Sequence, residues 1–420
     1  MNVLLTSHGS TGDIYPMISL GRALIAGGHK VSFATTPFFR EDVKAAGIRF
    51  VRVPPDWDGS QFAESMKTLH RAKSPLRQLR MIYRQASEFL TETVEILENE
   101  LQGKDLFVGS YLFPNFKAIA ERKNVPFALV CFCHNVVPND TLPPDVVPGL
   151  SMLPEPLHKL WVRLWWKISS GVIDATINNE LKRVLSDARL EPTSGFCLKP
   201  ANLVLVAVSP GVMKAGLTGI DSRFNFTGYL RYQTPDDSKT ETILNHFCQG
   251  ERVPLVTFGS VTFDSARAEM REFIANWPKN KKLILQAGWA QFDEGENHEN
   301  ILIIGKASHD QVLRHASAVL HHGGAGTTAS VLHSGVPQVI APQIADQGFW
   351  ANQVVRLGVG LKASPRGWPQ QAPRFLQKVS SEEAFQRRAK ECQSILNQEN
   401  GQQNAVALLE QYVGSGPDPT

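Results

Sequence analysis

A chain of 420 residues with 42% hydrophobic content is too long for one core, because single cores stop growing at about 250 to 300 residues, so two domains are expected. Its 43 lysines and arginines nearly balance 40 aspartates and glutamates, and a net charge of +3 excludes a protein given over to binding nucleic acid. Five scattered cysteines imply neither a disulfide framework nor a zinc site, and no apolar run nears the ~20 residues of a membrane span, which points to a cytoplasmic enzyme.

Asn2 to Thr6 is a short apolar run that meets a Gly-containing turn, His8 to Asp13, and reads as a buried parallel strand. Ile14, Met17, Ile18, Leu20, Ala23 and Leu24 then fall at helical spacing, Gly27 and Gly28 stop the helix, and Val31 to Thr35 is a second strand. The pattern continues with a strand at Phe50 to Val53, a long helix from Leu76 to Leu101, and strands at Leu106 to Gly109, Phe127 to Cys133, Val204 to Val208 and Phe224 to Tyr229. A polar stretch rich in Asp, Thr and Ser from Gln233 to Thr242 reads as a linker.

The alternation then restarts: strand Leu255 to Phe258, helix Arg267 to Trp277, strands Leu283 to Gln286 and Ile301 to Ile304, helix Gln311 to His315, strand Ala318 to His321. A helix from Ala329 to His333, a strand Gln338 to Ala341 and a helix beginning near Asp346 complete it. The expected fold is α/β: two doubly wound, Rossmann-like domains in tandem, their strand ends facing a shared cleft. Residues 1–232 form the N-terminal domain, 233–250 the linker and 251–400 the C-terminal domain. Residues 401–420 supply a helix packing back on the N-terminal domain and a disordered tail.

The strongest chemical signal is His321-His322-Gly323-Gly324-Ala325-Gly326-Thr327-Thr328. A strand delivers an imidazole to its carboxyl end, small residues let the backbone close on a ligand, and a helix N-terminus attracts negative charge. Gly259 and Ser260 follow another strand directly, and two such turns can grip one diphosphate. The other reading of the His322 turn is a tight strand-to-helix connection with a satisfied imidazole. Asp346-Gln347 pairs a carboxylate with a carboxamide suited to sugar hydroxyls, or is simply a helix N-cap. Asp13 closes the first Gly-rich turn and is either a general base or a helix cap.

A dinucleotide dehydrogenase is disfavoured: His8 to Asp13 does not match Gly-x-Gly-x-x-Gly, and Ala34, Thr35 and Thr36 stand where an acid would hold a ribose. Asp56-Trp57-Asp58 reads as a solvent-facing loop rather than a metal clasp. Leu157, Leu160, Trp161, Leu164, Ile168 and Val172 share one face of a basic, Trp-rich helix, with Lys159, Arg163 and Lys167 on another and Trp165 and Trp166 between. Three readings stand: a face packed on the core, an acceptor pocket involving Trp161 and Trp165, or a patch in peripheral contact with a membrane. Arg71, Lys73, Arg77, Arg80 and Arg84 read as a solvated basic face, and His134, after a strand, borders the acceptor side.

Taken together, His309-Asp310, the His321 to Thr328 run, Gly335-Val336-Pro337 and Asp346-Gln347 resemble the donor-binding half of inverting family 1 glycosyltransferases with the GT-B fold. The likeness is to bacterial and fungal members that glycosylate sterols, antibiotic aglycones or lipid acids. Gly9-Ser10-Thr11-Gly12-Asp13 with Pro16 resembles their acceptor-side loop. The resemblance spans both domains, although the middle, from about Trp57 to Cys197, matches no motif.

The resemblance implies that His322 and the backbone amides of Gly324, Ala325, Gly326 and Thr327 bind the donor phosphates and that Gly259 and Ser260 close over them. It further implies that Asp346 and Gln347 hold the sugar, that Ser10 and Thr11 approach the donor, and that Asp13 is the general base. Lys306 stands where many relatives stack a Trp on the base, which leaves uridine or thymidine open. The implied reaction is metal-independent: a hexose passes from a UDP- or dTDP-sugar, a co-substrate rather than a bound cofactor, to a hydroxyl of a lipophilic small molecule or lipid. The diphosphate leaves toward His322 and the helix N-terminus. A sugar-nucleotide epimerase and a non-catalytic nucleotide-sugar-binding subunit are the alternatives.

Overall fold

A computed structural model describes residues 1–72, 74–144, 153–259, 265–287, 299–305, 307–344 and 346–415. Lys73, Ser260, Lys306 and the tail from 416 onward lie outside the described residues.

In chain order the first half runs β1 (Asn2–Thr6), α1 (Thr11–Ala26), β2 (Lys30–Thr35), α2 (Arg40–Ala45), β3 (Arg49–Arg52) and α3 (Gly59–Arg71). It continues with α4 (Pro75–Ser87), α5 (Leu90–Glu100), β4 (Leu106–Ser110), α6 (Lys117–Arg122), β5 (Phe127–Cys131), α7 (Glu155–Leu181), β6 (Leu203–Val206) and β7 (Phe224–Phe226). The second half runs α8 (Ser238–Cys248), β8 (Val253–Thr257), α9 (Ala266–Asn276), β9 (Leu283–Gln286), β10 (Ile301–Ile304), α10 (His309–Arg314) and β11 (Ala316–His321). Then come α11 (Ala325–Ser334), β12 (Gln338–Ile340), α12 (Gln347–Leu357), β13 (Gly360–Lys362), α13 (Trp368–Ser381), α14 (Glu383–Leu396) and α15 (Gly401–Gly414).

The chain divides into two compact units, one of Met1–Gly59, Leu76–Leu230 and Asn400–Thr420, the other of Ser60–Pro75 and Arg231–Glu399. Each is a doubly wound α/β domain around a parallel sheet, ordered β3-β2-β1-β4-β5-β6-β7 in the first and β10-β9-β8-β11-β12-β13 in the second. β1 pairs with β2 on one side and β4 on the other, so covering helices bury both its faces and its sequence is an unbroken apolar run rather than an alternating one. α1 lies close on it because residue 21 is glycine: a β-carbon there would stand 3.3 Å from Leu5 Cδ1 and 2.6 Å from Ile48 Cδ1.

In the second unit the two sheet faces carry separate cores. Met270 and Phe273 of α9 and Trp368, Ala372 and Leu376 of α13 cover one. Leu244 of α8, Val312 of α10 and Val331 of α11 cover the other.

α15 belongs to the first unit. Gly401 abuts the backbone of Gly228 and Tyr229, where no side chain would fit, and Asn404 Nδ2 donates to Thr227 O at 2.8 Å. Gln402 Nε2 donates to Ser19 Oγ at 3.2 Å, Tyr412 Oη to Phe127 O at 3.3 Å, and Glu410 meets His29 at 2.8 Å.

Two expectations need correction. The 233–250 stretch is not all linker: α8 occupies Ser238–Cys248, N-capped by Asp237, whose carboxylate accepts from Thr240 N at 2.8 Å and Thr240 Oγ1 at 2.7 Å. Its polar composition reflects an outward face, while Leu244 and Cys248 are core residues. The helical stretch expected from about Leu76 to Leu101 is divided at Glu88 and Phe89 into α4 and α5, and at the junction Ser87 Oγ donates to Arg84 O at 2.7 Å, diverting a helical acceptor.

Candidate functional site

Strand order reverses between β8 and β11 in the second sheet, and ligands of open parallel sheets bind beyond the carboxyl ends of strands at such a point. The register sets Thr257 beside His321, so the turns that follow, Gly259 from β8 and His322 from β11, are neighbours. A β-carbon on Gly259, whose φ is +57°, would stand 3.2 Å from His322 Cε1 and 3.9 Å from Thr327 Oγ1. One on Gly324 would stand 2.5 Å from His322 Nε2. The glycines are therefore required: they let two turns close around one imidazole.

That imidazole is 6% exposed, and its Nδ1 is buried with no hydrogen-bond partner. Thr257 Oγ1 and Thr328 Oγ1 are likewise buried and unpartnered, an orphaned polar set of the sort a ligand or water satisfies. Burial, with smaller contributions from the neighbouring His321 and His309, pushes the His322 pKa down to about 3. The ring is thus neutral at pH 7, so the attraction for an anion comes from the helix rather than from the imidazole. α11 starts at Ala325 and no side chain caps it, which leaves its first-turn N–H groups available for an anion.

His321, the last residue of β11, has a different task. Gly323 N donates to its Nδ1 at 3.1 Å, so Nε2 carries the proton and meets Gln338 Oε1 at 2.8 Å. One histidine pins the turn and the next faces its interior; the doubled residue was the only signal for this in the sequence.

Asp346 precedes α12 in the N-cap position yet makes no capping bond. Its Oδ2 instead accepts from Trp350 Nε1 at 2.8 Å, a partner four residues on that the sequence reading missed. Gln347 Oε1 accepts from Gln343 N at 2.7 Å and Ile344 N at 3.0 Å, so the amide nitrogen is the end able to act on a ligand, as a donor only.

In the first unit, strand order reverses between β1 and β4, and the turn after β1 ends in Ser10, the N-cap of α1, whose first turn carries Thr11 and Asp13. Asp13 completes a capping box: its Oδ2 accepts from Ser10 N at 2.8 Å and Ser10 Oγ at 3.1 Å, while Ser10 Oγ accepts from Gly12 N at 3.2 Å. The cap reading of Asp13 is the one this geometry shows, and the cap also fixes a half-buried carboxylate. Beside it, His8 packs edge-on against Phe113, which follows β4, with ring centroids 5.6 Å apart. Burial holds its pKa down at about 4, and it is hydrogen-bonded to the Pro54 backbone.

The acceptor-side candidates are spread out. His134 is buried near Phe226, ring centroids 6.3 Å apart. Trp161 is exposed on the outer face of α7, Trp165 is half-buried with an unpartnered Nε1, and Trp166 Nε1 donates to Leu142 O at 3.0 Å. The apolar stripe of α7 from Leu157 to Val172 is exposed, so the reading of a core-packed face is overturned. Arg71 belongs to α3 and pairs with Glu64, whereas Arg77, Arg80 and Arg84 are exposed on α4. Asp56 is exposed and bound by the Arg52 guanidinium, which holds its carboxyl below the usual range. No helix among the described residues is long and apolar enough to cross a membrane, and all five cysteines are buried and none is in a disulfide.

Residues 3–97 match the glycosyltransferase family 28 N-terminal domain, and residues 291–407 match the C-terminal domain of erythromycin biosynthesis protein CIII-like proteins. The chain is 27% identical to an O-mycaminosyltylonolide 6-deoxyallosyltransferase from Streptomyces fradiae, over 98% of this chain and 97% of that protein. It is 29% identical to the sterol 3-beta-glucosyltransferase of Yarrowia lipolytica over 85% of this chain, which spans only 25% of that longer protein. The crystal structure of glycosyltransferase VinC in complex with dTDP superposes with a TM-score of 0.69, at 16% identity, covering 99% of this chain and 100% of that one.

Proposed function

Taking as premise that the chain is a family 1 glycosyltransferase built on the GT-B fold, we propose that it transfers a hexose from a UDP- or dTDP-sugar to a hydroxyl of a lipophilic small molecule or lipid. The observation that carries this reading is the convergence of Gly259, His322 and the uncapped start of α11 at one strand-order reversal. Backbone amides and an orphaned imidazole gathered there suit a diphosphate. The relatives support the rest: one is named for moving a deoxyhexosyl group to a natural product, another for glucosylating sterols, and VinC is described with dTDP.

In the proposed mechanism Asp13 takes the proton of the acceptor hydroxyl as that oxygen forms a bond to the anomeric carbon. The bond from that carbon to the diphosphate oxygen breaks, and the leaving nucleoside diphosphate is stabilised by the N–H groups of Gly324, Ala325, Gly326 and Thr327, with His322 as a neutral donor. Attack opposite the leaving group inverts the anomeric configuration. Ser10 and Thr11 contact the donor, and Asp346 and Gln347 hold the sugar hydroxyls, the first accepting and the second donating. The leaving charge is met by amides and an imidazole, so the reaction needs no metal.

The test is a panel of UDP- and dTDP-hexoses screened by thermal shift, then incubated with sterol, phenolic and hydroxy-fatty-acid acceptors and read by product mass and anomeric coupling. An inverted glycoside is expected. Donor conversion without acceptor, or donor binding with no transfer to any acceptor, overturns the reading.

A further inference from the structure

We propose that the exposed face of α7 is a docking surface for an anionic lipid bilayer, on which the protein rests with this helix parallel to the membrane plane. Leu157, Leu160, Trp161, Leu164, Ile168 and Val172 share that face and are 43–62% exposed. At 1.5 Å per residue they make an apolar stripe about 22 Å long. The helix does not need this face for its own fold, because Val162, Trp166, Ser170, Ile177 and Leu181 already bury the opposite side. An apolar stripe of this length, including a tryptophan, marks an interaction surface rather than scattered exposure.

Charge selects the occupant. Residues 156–173 contain no aspartate or glutamate but include Lys159, Arg163 and Lys167. Lys159 pairs with Glu155 at 2.6 Å and Arg163 with Asp140 at 2.6 Å, while Lys167 is exposed and has no acidic partner among the described residues. Next to α7 lies α4, joined to it by Arg84 and Glu180 at 3.2 Å, and Arg77, Arg80 and Arg84 share one exposed face of that helix. Apolar side chains that insert, with exposed cations on the same helix and on neighbouring α4 to reach phosphate, fit an interfacial helix. A second copy fits less well, since a twofold contact through this stripe would bring like charges together. Among the described residues no helix is long and apolar enough to cross a bilayer, so the proposed contact is a peripheral one. This inference stands apart from the transfer reaction and is tested without it.

The experiment is co-sedimentation of the full chain with phosphatidylcholine vesicles, with and without phosphatidylglycerol, at low and high salt. Binding is expected with the anionic vesicles and is expected to fall at least about tenfold in neutral vesicles or high salt. A Leu160→Glu/Ile168→Glu double variant should lose at least about tenfold in vesicle affinity at unchanged melting temperature, and Arg80→Glu/Lys167→Glu should lose the dependence on phosphatidylglycerol. The proposal is overturned by absence of binding, by binding that is indifferent to lipid charge or to these substitutions, or by a wild-type dimer in solution that the first double variant dissociates.

Discussion

Asp13 stands directly over Gly9. A β-carbon at residue 9 would overlap the carboxylate, with Asp13 Cγ only 2.8 Å away, and Gly9 has a φ of +128° that disfavours any side chain. Glycine at residue 9 is thus what lets the α1 capping carboxylate fold back over the turn after β1. Gly9→Ala is expected to displace Asp13 at a cost of about 1–3 kcal/mol in strain. Transfer should fall at least tenfold while affinity for the free nucleoside diphosphate in calorimetry stays within about threefold, because the turns proposed to hold its phosphates are those of Gly259 and His322.

Asp13→Asn keeps the shape and can still accept from Ser10 N, the bond that fixes the side chain at 2.8 Å. It removes the base and spares the helix start. The expected outcome is a fall in kcat of about 10²–10⁴ with a melting temperature near wild type. Normal turnover in this variant would take Asp13 out of the reaction.

His322→Ala should weaken binding of the free nucleoside diphosphate about tenfold or more, the worth of one hydrogen bond to a charged group. Gly324→Ala should act in the same direction for a steric reason, since its β-carbon would stand 2.5 Å from His322 Nε2. Titration calorimetry with dTDP and UDP measures both. If the two variants leave affinity unchanged, the turn serves the fold alone.

Trp350→Phe removes the donor that holds Asp346 Oδ2 at 2.8 Å. The carboxylate loses its orientation, while the phosphate turns keep theirs. The KM for nucleotide sugar should rise several-fold, with product inhibition by the sugar-free diphosphate little changed. Burial of Trp350 means a stability loss of about 1–3 kcal/mol accompanies this, so activity is to be read well below the melting temperature.

Acid should destabilise the protein through His321 and His322, whose pKa values burial lowers from 6.5 to about 4 and about 3. Both are held neutral in the folded chain and charge more readily when unfolded. Their contribution is complete above pH 6.5 and is lost as the pH falls toward 3, at up to about 1.4 kcal/mol per pH unit for each ring. Melting temperatures between pH 8 and 5 should drop accordingly, less steeply in His322→Gln.

The sheets were legible because buried parallel strands such as β1, β9 and β10 are written as plain apolar runs, and the His322 turn because an imidazole, glycines and paired threonines follow one of those runs directly. What escaped was decided by packing. α8 hid in a polar stretch whose few apolar residues, Leu244 and Cys248, meet partners distant in sequence. Periodicity showed that α7 has an apolar face but not whether protein covers it. Nor does an Asp at a helix start announce that its partner is Trp350 rather than a backbone amide, and Gln347 gave no sign that its oxygen is already engaged.

The return of α15 to the first unit has a consequence for biosynthesis. The helix that contacts Ser19, His29, Phe127 and Thr227 is translated only after the whole stretch from Arg231 to Glu399. The unit that begins emerging from the ribosome first is therefore the one sealed last, and a premature stop anywhere in that stretch would release it with one flank uncovered.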